Sequence, residues 1–187
     1  MNPSLVTLVS VAGIVTFMAF AQLSRVRGLA RRGETLARSR GLAHYVAYFS
    51  FVPYVVIAAR PGPELEVPEP LRWVGLALVV MGIAFALWAI ATLGRHYDVE
   101  LEIHRDHELV RTGPYRIVRH PLYTGLGLHF AGACLATGNL VLIAGILLVT
   151  YPALYLRAKT EERLLRERFG PAYDEYAREV GMLVPLP

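Results

Sequence analysis

Cysteine is almost absent from this 187-residue chain: the sequence holds only Cys134, which lies within an apolar segment. A single thiol excludes a disulfide framework and a cysteine-based metal site, and we interpret it as a packed structural residue. No metal site is predicted from histidine either, because His104 and His107 have no third ligand at a suitable spacing.

The chain also lacks a GxGxxG sequence between a predicted strand and a helix, which excludes a Rossmann domain. The GLG at 125–127 lies inside an apolar segment instead. Small residues at such positions let two membrane helices approach closely, so we interpret these glycines as a helix-packing site.

Hydrophobic sequence, by contrast, is abundant and unevenly spread. It makes up 55% of the chain, whereas apolar residues make up about 45–50% of soluble domains. It falls in blocks of about 20 residues, the length that a helix needs to cross a bilayer. The five blocks cover residues 3–23, 42–59, 71–93, 122–137 and 140–156. We therefore predict an all-α integral membrane protein with about five transmembrane helices.

The last two blocks are predicted to form a helical hairpin. Only Gly138 and Asn139, both strong turn formers, separate them. A charged tail with a helical pattern follows from Arg157 to Arg178. These features divide the chain into an N-terminal three-span region, 1–93, and a C-terminal core, 94–187, made of a polar segment, the hairpin and the helical tail.

The distribution of arginine predicts the orientation in the membrane. Six arginines between residues 25 and 40 stand against a single Glu34, as in a cytoplasmic loop. This explains the net charge of +4 without nucleic acid, and anionic membrane lipids are the easiest partner for the loop. The N-terminus is then outside, and residues 94–121 and 157–187 share the cytoplasmic face. The plain spans favour a prokaryotic inner (plasma) membrane.

Most polar side chains that could bind or react lie in these two cytoplasmic segments. Both segments flank the predicted hairpin, so we expect them to meet in a pocket at the membrane surface. The candidates are His96, Tyr97, Glu100, His104, His107, Tyr115, Arg119 and His120 in the first segment, and Arg157, Lys159, Glu161 and Glu162 in the second.

Three stretches carry a resemblance to a known family. They are HELVRTGPY, then RHPLYTG, and after the hairpin RAKTEERLLRERFGPAYDEY. Together they resemble the isoprenylcysteine carboxyl methyltransferase family, within a wider group of membrane methyltransferases that includes phospholipid N-methyltransferases. The resemblance covers about residues 94–187. It implies S-adenosyl-L-methionine as cofactor and a lipophilic or lipidated acceptor, first of all a carboxylate such as a prenylcysteine-like group.

The resemblance also implies the site residues. Arg157 is expected to face the methyl acceptor, and Glu100 stands where some relatives place a cofactor-binding glutamine. The other expected cofactor contacts are His107, Glu108, Leu109, Val110, Tyr115, His120, Pro121, Leu122, Tyr123 and Glu161.

The chemistry of the predicted catalytic pair, Arg157 and Glu161, agrees with these roles. Residues four apart lie on one face of a helix. Glu161 can accept hydrogen bonds from ribose hydroxyls or an amino group, and Arg157 can bind a carboxylate in a planar fork. A carboxylate or thiolate acceptor needs no proton removed, whereas an amine would need His120 or Glu161 as a base. Glu162 is interpreted as solvated, and His129, in mid-span, as buried and satisfied.

Three alternatives stay open at this point. NADPH-dependent sterol-type membrane reductases carry a similar RHPxYxG, although usually in longer chains and with asparagine where this chain has Leu122. A phospholipid or thiol methyltransferase would use the same scaffold. A non-enzymatic membrane protein is disfavoured by the presence of both Arg157 and Glu161. The sequence does not indicate an oligomeric state.

Overall fold

A computed structural model of the chain describes residues 3–29, 35–39, 62–97, 101–104 and 108–186. The predicted second span, 42–59, lies outside these residues, as do two of the predicted cofactor contacts, Glu100 and His107.

The architecture is helical, which confirms the predicted fold class. Three helical stretches in the described part of the chain, Leu5–Arg27, Glu69–Leu93 and Leu140–Phe169, are long and apolar enough to cross a bilayer. The total number of spans stays a prediction. The helices are α1 (Pro3–Leu29), α2 (Glu69–Leu93), α3 (Pro121–Thr137), α4 (Leu140–Gly145), α5 (Tyr151–Phe169) and α6 (Pro171–Glu179).

A short antiparallel β-ribbon joins two segments in which no strand was expected. Strand β1 (Thr35–Ser39) pairs with β2 (Leu101–His104), with Arg38 opposite Glu102. β1 belongs to the arginine-rich loop and β2 to the polar segment before the hairpin. Their pairing requires these two segments to lie on the same side of the helices, as the charge pattern predicts.

Helices α2 and α3 pack with their backbones in contact. A Cβ atom at Gly132 would lie 2.5 Å from the Gly75 carbonyl oxygen, and one at Gly125 would lie 2.6 Å from the Gly82 carbonyl oxygen. Only glycine allows so close an approach. The prediction of a helix-packing site at 125–127 is therefore right for Gly125. At Gly127 the nearest atom, a ring carbon of Tyr151, would be 3.9 Å away.

The predicted turn between the last two apolar blocks is present. Gly138 adopts a left-handed conformation (φ 68°) and ends α3, and the Asn139 side chain caps α4 by accepting a hydrogen bond from the Leu142 N–H at 2.9 Å. From α2, the Arg72 guanidinium donates to the Ala136 carbonyl at 3.2 Å. At this end of the bundle, the side chains of Asn139 and Arg72 thus form hydrogen bonds with backbone groups at helix ends, which have no partner within their own helix.

Removing the Asn139 cap should lower stability measurably. We expect Asn139→Ala to cost about 1 kcal/mol, or about 3 °C in the unfolding midpoint, because the Leu142 N–H loses its acceptor. Asn139→Ser keeps an oxygen at the cap and should unfold close to wild type. Thermal unfolding in detergent checks this, and equal midpoints for the two variants would contradict it.

The charged tail differs from its prediction in one respect. Helix α5 runs on through the predicted start of the tail, Arg157, as far as Phe169, and only then does Gly170 (φ 50°) break the chain before α6. Upstream, the wide π turn Ile146–Thr150 precedes Pro152, whose missing N–H prevents a regular α-helical bond there. Arg157, Glu161 and Glu162 therefore all lie on α5, the helix that continues from the last apolar block.

Candidate active site

The candidate site lies where α3 begins. Its start follows from local sequence: His120 occupies the position before the helix and Pro121 the first helical position, where the missing proline N–H costs nothing. Both residues are buried. Because α3 runs antiparallel to α2 through the glycine contacts, this site lies at the opposite end of the bundle from the Gly138 turn.

A chain of hydrogen bonds joins the predicted catalytic pair through Tyr123. The Arg157 Nε donates to the Tyr123 hydroxyl at 2.8 Å, and that hydroxyl donates to Glu161 Oε2 at 2.9 Å. Arg157 is buried at 9% exposure, whereas the Glu161 side chain is 34% exposed. The structure thus brings Tyr123 between Arg157 and Glu161, and Glu161 is the more exposed member of the pair.

His120 lies between two neighbouring carboxylates. Its Nδ1 is 3.7 Å from Glu161 Oε2, and its Nε2 is 3.5 Å from Glu162 Oε1. Burial alone would lower the pKa of His120, but its interactions with the two glutamates outweigh burial and raise the pKa above the ordinary 6.5. The ring also stacks on Tyr123 at 5.7 Å between centroids, which fixes its orientation.

Glu162 is buried, at 2% exposure, so its interpretation as a solvated residue is wrong. Its Oε1 accepts a hydrogen bond from Arg119 Nε at 2.8 Å, and its Oε2 lies 3.6 Å from Arg166 Nη1. A signal in the sequence could have found it, because Leu154, Ala158 and Glu162 follow a four-residue period and all three are buried. Arg119, one of the polar candidates of the first cytoplasmic segment, is thus the hydrogen-bond partner of Glu162.

Residues 171–183, here called the C-terminal clamp, hold the segment that precedes α3. The backbone N–H groups of Arg119 and His120 donate to the carbonyls of Gly181 and Met182, at 2.9 and 3.0 Å. The Arg119 guanidinium also donates to the carbonyls of Ala177 (2.9 Å) and Val180. The clamp thus supplies acceptors for a segment that no regular helix or strand satisfies.

Tyr115 is held against the same clamp. It lies in the 3₁₀ turn Gly113–Arg116, is buried, and its carbonyl accepts a hydrogen bond from the Tyr176 hydroxyl at 2.6 Å. Burial, and next the charge of Glu161, hold the pKa of the Tyr115 phenol well above its usual range. The phenol is therefore neutral at physiological pH.

The remaining predicted cofactor contacts are one residue of α3 and three residues upstream of that helix. Leu122 is half-buried and packs against the core. Glu108 is exposed, and Leu109 and Val110 are partly exposed, in the segment that leads to Arg111. Their roles stay predictions. His129 is buried in α3 with Nδ1 3.1 Å from the Val79 carbonyl, in agreement with its interpretation as a satisfied core residue.

A helical bundle of membrane-crossing length with an enclosed polar cluster at one end has the architecture of an intramembrane enzyme. Residues 73–167 match the isoprenylcysteine carboxyl methyltransferase (ICMT) family. The chain belongs to this family.

Three comparisons illustrate the likeness. A probable protein-S-isoprenylcysteine O-methyltransferase of Oryza sativa subsp. indica is 33% identical over 126 residues, which are 66% of this chain and 66% of that protein. The Saccharomyces cerevisiae protein-S-isoprenylcysteine O-methyltransferase is 32% identical over 178 residues, 91% of this chain and 74% of that protein. The structure of a eukaryotic intramembrane Ras methyltransferase, ICMT, matches with a TM-score of 0.58 and 26% identity, covering 79% of this chain but 54% of that one.

Proposed function

We propose that this protein is an S-adenosylmethionine-dependent methyltransferase of the membrane, and that its acceptor is a lipophilic carboxylate of the S-isoprenylcysteine kind. The observation that supports this best is the hydrogen-bonded series Arg157, Tyr123 and Glu161 at the end of an apolar bundle. It combines a buried cation with a partly exposed carboxylate. The names of the rice and yeast relatives favour the same chemistry.

The residues of the cluster fit a donor such as S-adenosylmethionine. Its ribose hydroxyls and ammonium group need acceptors, which the partly exposed Glu161 carboxylate supplies. His120 adds a second polar group beside this carboxylate, since its Nδ1 lies 3.7 Å from Glu161 Oε2. When bound, the donor supplies a methyl group activated on a sulfonium.

The work of this chain's residues is then mainly positioning. Arg157 would hold an acceptor carboxylate by charge and by parallel N–H groups, and Tyr123 fixes the plane of that guanidinium through Nε. A carboxylate is already ionised at neutral pH, so the transfer needs no general base. Binding the two reactants in line, away from water, supplies most of the rate.

The arrangement in the membrane is part of the proposal. The cluster lies at the end of the bundle where strand β1, which belongs to the arginine-rich loop, pairs with β2. By the distribution of positive charge this end faces the cytoplasm, which in a prokaryote makes the membrane the inner one. The soluble donor would enter from the cytosol and the acceptor from the bilayer. The division at residue 93 into an N-terminal region and a methyltransferase core also stays a prediction.

Two binding measurements test the donor class. We expect the detergent-purified protein to bind S-adenosylhomocysteine with micromolar affinity by calorimetry and to give no heat with NADPH. Binding of NADPH alone would contradict the proposal in favour of a reductase.

The acceptor class is then tested by turnover with an N-acyl-S-isoprenylcysteine, compared with its carboxamide, a phosphatidylethanolamine and a small thiol. Turnover of the amine or thiol alone would move the assignment to a phospholipid or thiol methyltransferase.

A further inference from the structure

The buried Glu162 calls for an explanation that stability does not supply. A carboxylate at 2% exposure is costly to desolvate, and a buried ion pair is seldom more stabilising than well-packed apolar residues. Glu162 is adjacent to Glu161, but the two carboxylates accept hydrogen bonds from different side chains. Glu161 accepts from Tyr123 and is partly open, whereas Glu162 accepts from Arg119 and is closed.

We propose that Glu162 is a positioning residue of the donor site: it holds Arg119 and His120 from behind, so that Glu161 and Tyr123 stay aimed at the donor. The inference deepens the proposed function and rests on it. Glu162 itself is enclosed and would not touch the donor.

The geometry gives Glu162 two points of action. Through Arg119 it fixes the segment before α3, because the same guanidinium donates to the clamp carbonyls of Ala177 and Val180. Through His120 it acts on the site directly, because the imidazole lies between Glu162 on one nitrogen and Glu161 on the other. A protonated ring donates towards both carboxylates. A neutral ring turns one lone pair towards a carboxylate and repels it.

The groups that set the charge of His120 come from three elements. Glu161 and Glu162 face it from α5, Tyr123 stacks on it from α3, and Arg119 precedes it in the chain. From α6 the phenol of Tyr173 is buried in the same charge cluster and stays neutral, because burial raises its pKa. The two carboxylates are therefore the groups that favour the imidazolium, and removing one of them should lower the pKa of His120.

The sign of the pH effect follows. Since the folded-state pKa of His120 is raised, the imidazolium interaction is complete below pH 6.5 and is lost as the pH rises through the folded value. In Glu162→Gln we expect the pKa of His120 to be about one unit or more lower, the usual effect of removing one opposite charge at this distance. The imidazolium interaction is then lost at a correspondingly lower pH. Between the two pKa values the wild type has a charged ring and the variant a neutral one.

Two readouts on the whole protein test the proposal. The first is NMR titration of ¹⁵N-histidine-labelled protein, with the His120 signal assigned by its absence from His120→Gln. The second is calorimetric titration with S-adenosylhomocysteine over the same pH range. We expect about 10-fold weaker binding to Glu162→Gln, the lower end of the loss seen when a residue that orients a metal ligand is removed. The difference should be largest between the two pKa values. The ratio of affinities at each pH cancels the titration of the ligand.

Glu167→Gln is the matched control, because it makes the same change on an exposed position of the same helix. It should change neither the His120 pKa nor the affinity. If Glu162→Gln lowers only the unfolding temperature, and leaves the His120 pKa and the affinity ratio unchanged, Glu162 is a structural residue and the inference is wrong. If the wild type fails to bind S-adenosylhomocysteine, the proposed donor is wrong, and the inference, which rests on it, falls with it.

Discussion

Replacing Arg157 with alanine is expected to lower turnover by about 100-fold while leaving the affinity for S-adenosylhomocysteine unchanged. Arg157 is buried beside Tyr123 and would orient the acceptor carboxylate, so its loss lets the attacking oxygen move out of line with the donor methyl group. A misplacement of about 1 Å can cost about 100-fold in rate. The measurement is kcat with an N-acyl-S-isoprenylcysteine, together with calorimetry for the donor.

Replacing Glu161 with alanine should give the opposite pattern. Its carboxylate is the partly exposed acceptor of the cluster, and hydrogen bonds between charged groups contribute about 1.5–3 kcal/mol. We therefore expect donor binding to weaken by about 10-fold to 100-fold. Equal donor affinity in wild type and Glu161→Ala would overturn this assignment of roles.

Two further variants, both on α5, distinguish an effect of Arg157 on turnover from an effect on folding. Arg157→Lys keeps a cation but loses the fork and the bond from Nε, so it should recover folding without recovering full turnover. Arg163→Ala removes an exposed arginine from the same helix and should behave as wild type. A wild-type rate in Arg157→Lys would show that charge alone, and not its geometry, is needed.

The second large effect is expected at the helix contact far from the site. Gly132→Ala should destabilise the protein by about 3 kcal/mol or more, because the new methyl group would lie 2.5 Å from the Gly75 carbonyl oxygen and 2.6 Å from the Val79 nitrogen. Neither atom belongs to a side chain that could rotate away. The helices must separate, and we expect the unfolding midpoint in detergent to fall by about 6–12 °C.

The control for this change is on the same helix. At Gly127 the nearest atom to an added Cβ would be 3.9 Å away, so Gly127→Ala introduces no clash. Alanine is better than glycine in a helix by about 1 kcal/mol, and this variant should be neutral or slightly more stable than wild type. A similar fall in both midpoints would show that the effect arises from helix flexibility and not from contact.

Features set by neighbouring residues could be predicted from the sequence. The Gly138–Asn139 turn, the start of α3 at His120 and Pro121, and the shared helix face of Arg157 and Glu161 follow from turn preferences, proline geometry and helical period. The long apolar blocks likewise predicted a helical membrane fold, because bilayer thickness fixes their length.

Features set by distant contacts could not be predicted in the same way. The pairing of β1 with β2 joins segments more than 60 residues apart, and nothing local specifies either strand. Tyr123 was predicted as a cofactor contact, but its position between Arg157 and Glu161 depends on how α3 meets α5. The burial of Glu162 is contrary to the usual exposure of a charged residue and follows from its place on the buried face of α5, one and two turns after Ala158 and Leu154.

The contacts between Arg119 and the C-terminal clamp can form only after the last part of the chain has been synthesised. Arg119 leaves the ribosome 61 residues ahead of Val180, one of the carbonyls that it binds. At about 5–20 residues per second this separation corresponds to about 3–12 s of synthesis. During that time the apolar helices can already enter the bilayer, while the segment around His120 still waits for its partners. In a nascent chain stalled before the clamp, Arg119 and His120 would therefore lack the carbonyls to which they donate in the folded protein.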